Sequence, residues 1–462
     1  MSTLQTCISP IDGSRYVIRE LANQQHIQNT LSRAVLAQKS WRAKTIAQRA
    51  TLCHKMIDAF VANKKAIGEE LSWMMGRPIR YAQGEVAGME ERARHMIDIA
   101  EPSLATEKLA AKAGFTRYIK REALGVVFVI APWNFPYLTA INAIIPALMA
   151  GNTVILKHSA QTPLCAERLS DACVAAGFPE GVFQYLHMSH AATSTVIQDQ
   201  KIAHVCFTGS VAAGASIEKA AAGRFIGLGL ELGGKDPAYI RADADLDYAV
   251  ATVIDGAFFN SGQSCCGIER IYVDASIHDE FIKRACTLIN SYTLGRSDDP
   301  DTTLGPMVKA SAADFVRAQI GEAIERGAIS HIDESAFAMS QAATPYLAPQ
   351  LLSNVDHSMR IMTEESFGPV VGVQKVASDQ QAIELMNDSE FGLTAAIFTS
   401  NIESGVALGE QLETGTFFIN RCDYLDPGLA WTGVKNSGRG CTLSSKGYEQ
   451  LTRPKSFHIK TL

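Results

Sequence analysis

Three side-chain types that together suffice for acyl chemistry stand in separate glycine- or proline-bounded segments of this chain. A thiol, Cys265, lies in Asn260-Ser261-Gly262-Gln263-Ser264-Cys265-Cys266-Gly267, a turn that follows an apolar, helix-forming stretch. An amide, Asn134, lies in Pro132-Trp133-Asn134-Phe135-Pro136, and a carboxylate, Glu231, opens Glu231-Leu232-Gly233-Gly234-Lys235. A thiolate attacks a carbonyl, an amide N–H steadies the oxyanion that forms, and a carboxylate activates the water that later releases an acid. Plainer readings fit the same residues: a buried structural thiol, an Asn-Pro turn, a solvated glutamate. Cys266 reads as packing, because adjacent side chains diverge and only one of the pair is expected to face a given pocket. Next to Cys265 it would also permit a vicinal disulfide that silences the nucleophile.

Phe207-Thr208-Gly209-Ser210 reads as a strand passing through a glycine turn into a helix, with Gly214 allowing close approach one turn later. Free N–H groups at such a helix start can hold a pyrophosphate. The spacing is Gly-x-x-x-x-Gly, not Gly-x-Gly-x-x-Gly, so a structural cap fits the residues equally well; the place after a buried strand points to a dinucleotide. Lys157 reads as the end of another strand, where ligands gather in open α/β sheets, or as a plain exposed lysine. Glu365, in Glu364-Glu365-Ser366-Phe367-Gly368-Pro369, is an acidic candidate for a ribose hydroxyl or a loop with a charged pair.

The elements that must position these groups follow from periodicity. Apolar residues recur at helical spacing from Ile27 to about Ile99, broken at Gly76-Arg77-Pro78. Short β-prone runs then appear at Val126 to Ile130, Thr153 to Leu156, Gly181 to Tyr185, His204 to Phe207 and Ile226 to Leu230. Strands separated by helices predict βαβ units and a parallel sheet. A second α/β series is predicted from a helix over Leu246 to Asn260, a strand near Arg270 to Val273, a helix over Ile277 to Asn290, and further signals through Val370 to Asn420. Phe115 to Lys120 and Ser456 to Thr461 alternate apolar and polar residues outside either series, as edge strands that seek a partner do. Ser297 to Thr303 is the nearest thing to a linker.

With 462 residues, 47% hydrophobic and 19% charged, the chain has the composition of a globular protein large enough for two or three domains. The net charge of −6 with scattered basic residues argues against nucleic acid as a partner. Met1 to Pro10 lacks a signal-peptide pattern, and Leu124 to Ala131 is far shorter than the ~20 apolar residues a membrane helix needs. A cytoplasmic protein with no membrane partner is expected. The ten cysteines form no Cys-x-x-Cys pair, so reduced thiols and no metal site are expected.

These segments, in this order and together with Gly433-Val434-Lys435-Asn436-Ser437-Gly438, closely resemble the aldehyde dehydrogenase superfamily over nearly the whole chain. The resemblance implies an α/β fold: a Rossmann-like cofactor domain (1–104 and 125–233), an α/β catalytic domain (234–435), and a small β oligomerisation element (105–124 and 452–462). It implies Cys265 as nucleophile, Asn134 as oxyanion amide and Glu231 as general base. It places NAD or NADP against Trp133, Lys157, Ser159, Ala160, Gly209, Ser210, Leu232, Glu365 and Phe367. The substrate pocket falls on Phe135, Leu138, Phe259, Ser264, Cys266, Asp423, Leu425 and Trp431. A homodimer or homotetramer acting on a small aldehyde, with water as co-substrate, is implied.

Two departures bear on specificity. Where the family often has a glutamate that binds the adenosine ribose, this chain has Ala160, which admits NADP; NAD stays ahead because no nearby arginine welcomes a 2′-phosphate. The segment Arg421 to Pro427 mixes Leu425 with Arg421, Asp423 and Asp426, so a polar or aminated aldehyde is admissible. Rival readings are a silent structural relative of the same fold, a CoA-acylating dehydrogenase, and a thiol acyltransferase without redox chemistry.

Overall fold

Val126–Ala131 is apolar and buried at every position, which only the middle of a sheet covered on both faces permits. In the computed structural model, which describes residues 3–461, it pairs in parallel with Thr153–His158 on one side and Ile202–Thr208 on the other. Phe183–Tyr185 and Gly227–Glu231 extend the sheet outward, and Gly438–Arg439 closes one edge antiparallel. Alternate side chains of the central strand enter different cores. Val127, Val129 and Ala131 pack with Phe60, Met89 and Ile144, whereas Val126, Phe128 and Ile130 pack with Ile27, Leu31 and Ala34.

The predicted helical region comprises Gln24–Trp41, Ile46–Val61, Lys64–Met75 and Ile79–Asp98, with the break at Gly76 to Pro78 where expected. Thr45 and Gln48 form a capping box at the second of these. The periodicity missed the hairpin of Leu4–Ile8 and Arg15–Glu20, whose alternation is too short to stand out. The helix predicted to reach Asn260 stops at Phe258 and is followed by a turn.

A second sheet runs in the order Ile329–Ser330, Gln350–Ser353, Val370–Val376, Ile268–Asp274, Asp236–Ile240, Thr394–Phe398, Thr416–Ile419, parallel except at its first strand. Ser297 to Thr303 is no linker. Ser297 is fully buried, accepts from Ile79 N at 2.7 Å and donates to the Ser72 carbonyl at 3.1 Å, pinning that segment to two helices.

The two orphan strands pair with each other: Phe115–Ala123 and Thr452–Lys460 run antiparallel over nine residue pairs, joined by Glu107–Lys108. The last residue expected in that strand, 462, lies outside the described residues, as do residues 1 and 2 of the expected first domain. No helix among the described residues is long and apolar enough to cross a membrane.

Candidate active site

The strand order reverses at Val126–Ala131, so the loops leaving its carboxyl end and that of Ile202–Thr208 flank a crevice. Asn134 leaves the first strand and Gly209-Ser210 the second. Ser210 caps helix Val211–Ala221, its hydroxyl accepting from Ala213 N. Gly214 lets the Leu232 side chain lie close against the helix, since a Cβ there would stand 2.6 Å from its Cδ2 and push it aside. Lys157 sits within its strand, one residue before the end, and is buried; desolvation lowers its ammonium pKa to about 8.

Glu231 is the last residue of Gly227–Glu231, and the chain then crosses to the second sheet through 232–235. Glu231 is not a solvated glutamate: its backbone pairs with Thr208 and Gly438, and its carboxylate accepts from the hydroxyls of Thr442 and Thr208. Burial raises its pKa, opposed by those hydrogen bonds.

One guanidinium ties the amide loop to the thiol loop. Arg77, 2% exposed, ion-pairs with Glu85, donates to the Asn134 carbonyl at 2.6 Å and to Asn260 Oδ1 at 3.2 Å, and lies 4.5 Å over the Phe135 ring. Glu85 in turn accepts from Tyr137 and Leu138 N at the start of helix Pro136–Met149, where a carboxylate is favoured. Asn134 and Asn260 each donate to the Gln263 carbonyl at 3.2 Å. One Asn134 N–H is thereby used and the other has no acceptor among the described residues. Asn260, Ser261 and Gly262 take three successive positive φ values of 54°, 56° and 68°. For the two non-glycine residues this backbone is costly and is held by the surrounding bonds.

Cys265 stands on the wall between two cavities. The first, about 490 Å³, is lined by Trp133, Asn134, Gly209, Ser210, Leu232, Glu365, Phe367 and Cys265. It is floored by glycine: a Cβ on Gly233 would lie 2.2 Å from the Glu365 carboxylate, which accepts from Gly234 N. Burial and the nearby Glu269 carboxylate push the Glu365 pKa to about 7. Trp133 meets Phe367 edge-on at 5.7 Å. A cleft that runs from a helix N-terminus to a thiol offers backbone N–H donors suited to a phosphate at one end. Of the residues expected to touch a cofactor, Lys157, Ser159 and Ala160 lie outside this lining, on and just after the neighbouring strand.

The second cavity, about 270 Å³, gathers all eight residues expected at a substrate pocket, together with Cys265 and Glu231. Both adjacent thiols face it, contrary to the divergence argument. The segment before strand Ile268–Asp274 is a turn, not a strand, so the alternation rule does not govern it. Cys266 Sγ donates to Asp423 Oδ1 at 3.1 Å and Ser264 Oγ to the same oxygen at 2.8 Å. Contact with Cys265 and burial hold the Cys266 thiol protonated, and burial pushes Asp423 to about 6. Both cysteines are free.

Sequence reasoning missed Arg92 and Asn142 in this cavity. Arg92 is 9% exposed, on the stripe Glu85-Met89-Arg92-Met96 that helix Ile79–Asp98 turns inward. Two charges, Glu85 and Arg92, on a face otherwise filled by apolar residues were the available signal. Asn142 is 1% exposed, and neither its Oδ1 nor its Nδ2 has a partner among the described residues, an omission that costs about 1–3 kcal/mol when a polar group stays dry.

The family model for the aldehyde dehydrogenase family matches residues 2–457. The chain belongs to the aldehyde dehydrogenase family. Members of that family are oxidoreductases acting on aldehydes, and the α/β fold is common to its solved structures. Among aldehyde dehydrogenases, the chain is 32% identical to succinate-semialdehyde dehydrogenase [NADP(+)] 1 of Mycobacterium ulcerans, covering 98% of each chain. It is 32% identical to the succinate semialdehyde dehydrogenase [NAD(P)+] Sad of Escherichia coli, over 96% of this chain and 95% of the relative. The solved succinic semialdehyde dehydrogenase of Streptococcus pyogenes in complex with NADP+ superposes with a TM-score of 0.94 at 30% identity, covering 99% of this chain and all of that one.

Proposed function

We propose that this aldehyde dehydrogenase oxidises its aldehyde to the carboxylic acid through a thioester on Cys265 that water resolves. The supporting observation is the position of Cys265 on the wall shared by the two cavities, with Asn134 lining one and Glu231 the other. The Cys265 thiolate forms a bond to the carbonyl carbon, and the oxygen takes the negative charge, facing the free N–H of Asn134. A dinucleotide held by Gly209, Ser210, Glu365 and Phe367 supplies the hydride acceptor. As the oxyanion collapses, the adduct carbon gives up its hydride, two electrons leave with it, and the thioester remains on sulfur. Glu231 then takes a proton from water, the hydroxyl adds to the thioester, and the acid leaves as the thiol is restored.

The raised pKa of Glu231 suits a base that must hold a proton briefly and give it up. We read the cofactor as NAD or NADP. The residues alone put NAD ahead, the relatives carry NADP(+) and NAD(P)+ in their names, and kcat/KM for each dinucleotide decides. The division into cofactor, catalytic and oligomerisation domains belongs to the same reading, as does an assembly of two or four chains through the exposed edge of Thr452–Lys460. A monomer by light scattering would remove that last part.

The deciding assay is formation of reduced nicotinamide with aldehyde as the only other substrate, and recovery of the free acid. A requirement for coenzyme A would point to the acylating reading. Absence of any aldehyde-dependent signal would leave a silent relative.

A further inference from the structure

One carboxylate oxygen reaches the turn that carries the nucleophile on both sides of it. Asp423 Oδ1 accepts from Ser264 Oγ at 2.8 Å and from Cys266 Sγ at 3.1 Å, the residues immediately before and after Cys265. The Asp423 backbone has a φ of 46°, a costly conformation for any residue but glycine, and one that persists only where the surroundings hold it. They do so here: the Cys422 thiol donates to the Thr252 carbonyl at 3.4 Å, and Asn420 exchanges hydrogen bonds with Thr399. On the opposite wall, the Gln263 carbonyl accepts from Asn134 and Asn260, and the Gln263 side chain accepts from Val308 N at 2.8 Å. With Gln263, Ser264 and Cys266 all tied, rotation of the Cys265 side chain about Cα–Cβ is the main freedom left to the sulfur.

We propose that Asp423 is the positioning residue of the nucleophile: it holds the turn from the substrate side so that Cys265 stays on the wall where the two cavities meet. This rests on the aldehyde oxidation proposed above and adds a residue that acts through Ser264 and Cys266. Asp423 lines the substrate cavity, but its Oδ1 is occupied by protein donors. The Cys266 thiol, held protonated, is the donor this arrangement needs. The segment that shapes the substrate mouth thereby also aims the thiol, and a reacting atom must be held to a fraction of an ångström.

The first turnover tests this, read as the rate constant for nicotinamide reduction with the fastest of butanal, benzaldehyde and their carboxylated and aminated analogues. Asp423→Leu, similar in shape but without an acceptor, should slow it by roughly 10²-fold, the cost of displacing a reacting atom by about 1 Å. The dinucleotide Kd and the aldehyde concentration for half-saturation should change by less than about threefold. Asp423→Asn keeps an oxygen that accepts from both donors and should recover all but about fivefold of the loss. Ser264→Ala and Cys266→Ala should each cost roughly three- to tenfold, and nothing further when added to Asp423→Leu, because the bonds they remove are already gone.

An Asp423→Asn enzyme as slow as Asp423→Leu would show that the charge acts rather than the acceptor, which overturns the proposal. So does a half-saturating aldehyde concentration that rises as far as the rate falls, the mark of a substrate contact, and so do losses that multiply in the double variants. If Asp423→Leu fails to fold, Ser264→Ala combined with Cys266→Ala carries the test, and a first turnover within about twofold of the unaltered enzyme refutes the clamp. An unaltered enzyme that reduces nicotinamide with none of these aldehydes brings down aldehyde oxidation and this proposal with it. An unaltered enzyme and an Asp423→Leu variant with equal first turnovers bring down this proposal alone.

Discussion

The two cavities that meet at Cys265 are built in opposite ways. The cleft on the Ser210 side combines a helix N-terminus whose backbone N–H groups face it and the glycines 209 and 233 with a few side chains such as Trp133 and Phe367, and a carboxylate rests where any side chain on Gly233 would stand. The cavity on the Asp423 side is made of side chains gathered from seven distant stretches, several of them charged. Backbone donors cannot be replaced by point mutation, so the first suits a ligand that stays the same across many relatives. Side chains can be exchanged one at a time, which suits the cavity that must distinguish one aldehyde from another.

That contrast can be broken from either side. Cys265→Ala should lower kcat by on the order of 10⁴-fold or more while leaving the dinucleotide Kd within a few fold, because the sulfur is only wall to the backbone cleft. Loss of dinucleotide binding in that variant would show the cavities are not independent. Asn134→Ala should cost roughly 10² to 10³ in kcat, the usual worth of one oxyanion donor, read under saturating substrate.

Glu231→Gln should retain a single burst of reduced nicotinamide and slow steady turnover by roughly 10²-fold, since only thioester hydrolysis loses its base. Because a base works only when deprotonated and burial raises this pKa, kcat in the unaltered enzyme should fall on acidification at a pH above the ordinary glutamate range. Glu231→Gln should erase that limb. Gly233→Ala, the smallest expected effect, should raise KM for the dinucleotide by about tenfold with little change in KM for aldehyde, as Glu365 is displaced.

The same division explains what could be read before any coordinates. Strand Val126–Ala131 is a continuous apolar run and Ile202–Thr208 a mostly apolar one interrupted by His204, each ending at a glycine or proline turn, so both the sheet and the cleft at its edge are legible from local pattern. The substrate cavity is legible only through family likeness, and only where motifs lie. Arg92 comes from a helix more than 170 residues before the nucleophile, marked in the chain only as a charge on a mostly apolar helix face. Arg77 is similar: it was read as part of a helix break, and its bonds to Asn134, Asn260 and Glu85 exist only in three dimensions. The paired thiols were misjudged because an alternation rule for strands was applied to a turn.

Asp423, Tyr424, Leu425 and Trp431 all lie on one excursion of the chain, and its two ends are fastened. Asn420 exchanges hydrogen bonds with Thr399 at the start, Trp431 pairs with Thr442 beyond its far end, and Gly438 locks against Glu231. A lip anchored in this manner is a replaceable part. Apart from Asp423, whose carboxylate holds the two neighbours of Cys265, its ten or so residues could be rewritten by descent or by an engineer, and new aldehydes admitted, without retuning the thiol, the amide or the base behind it.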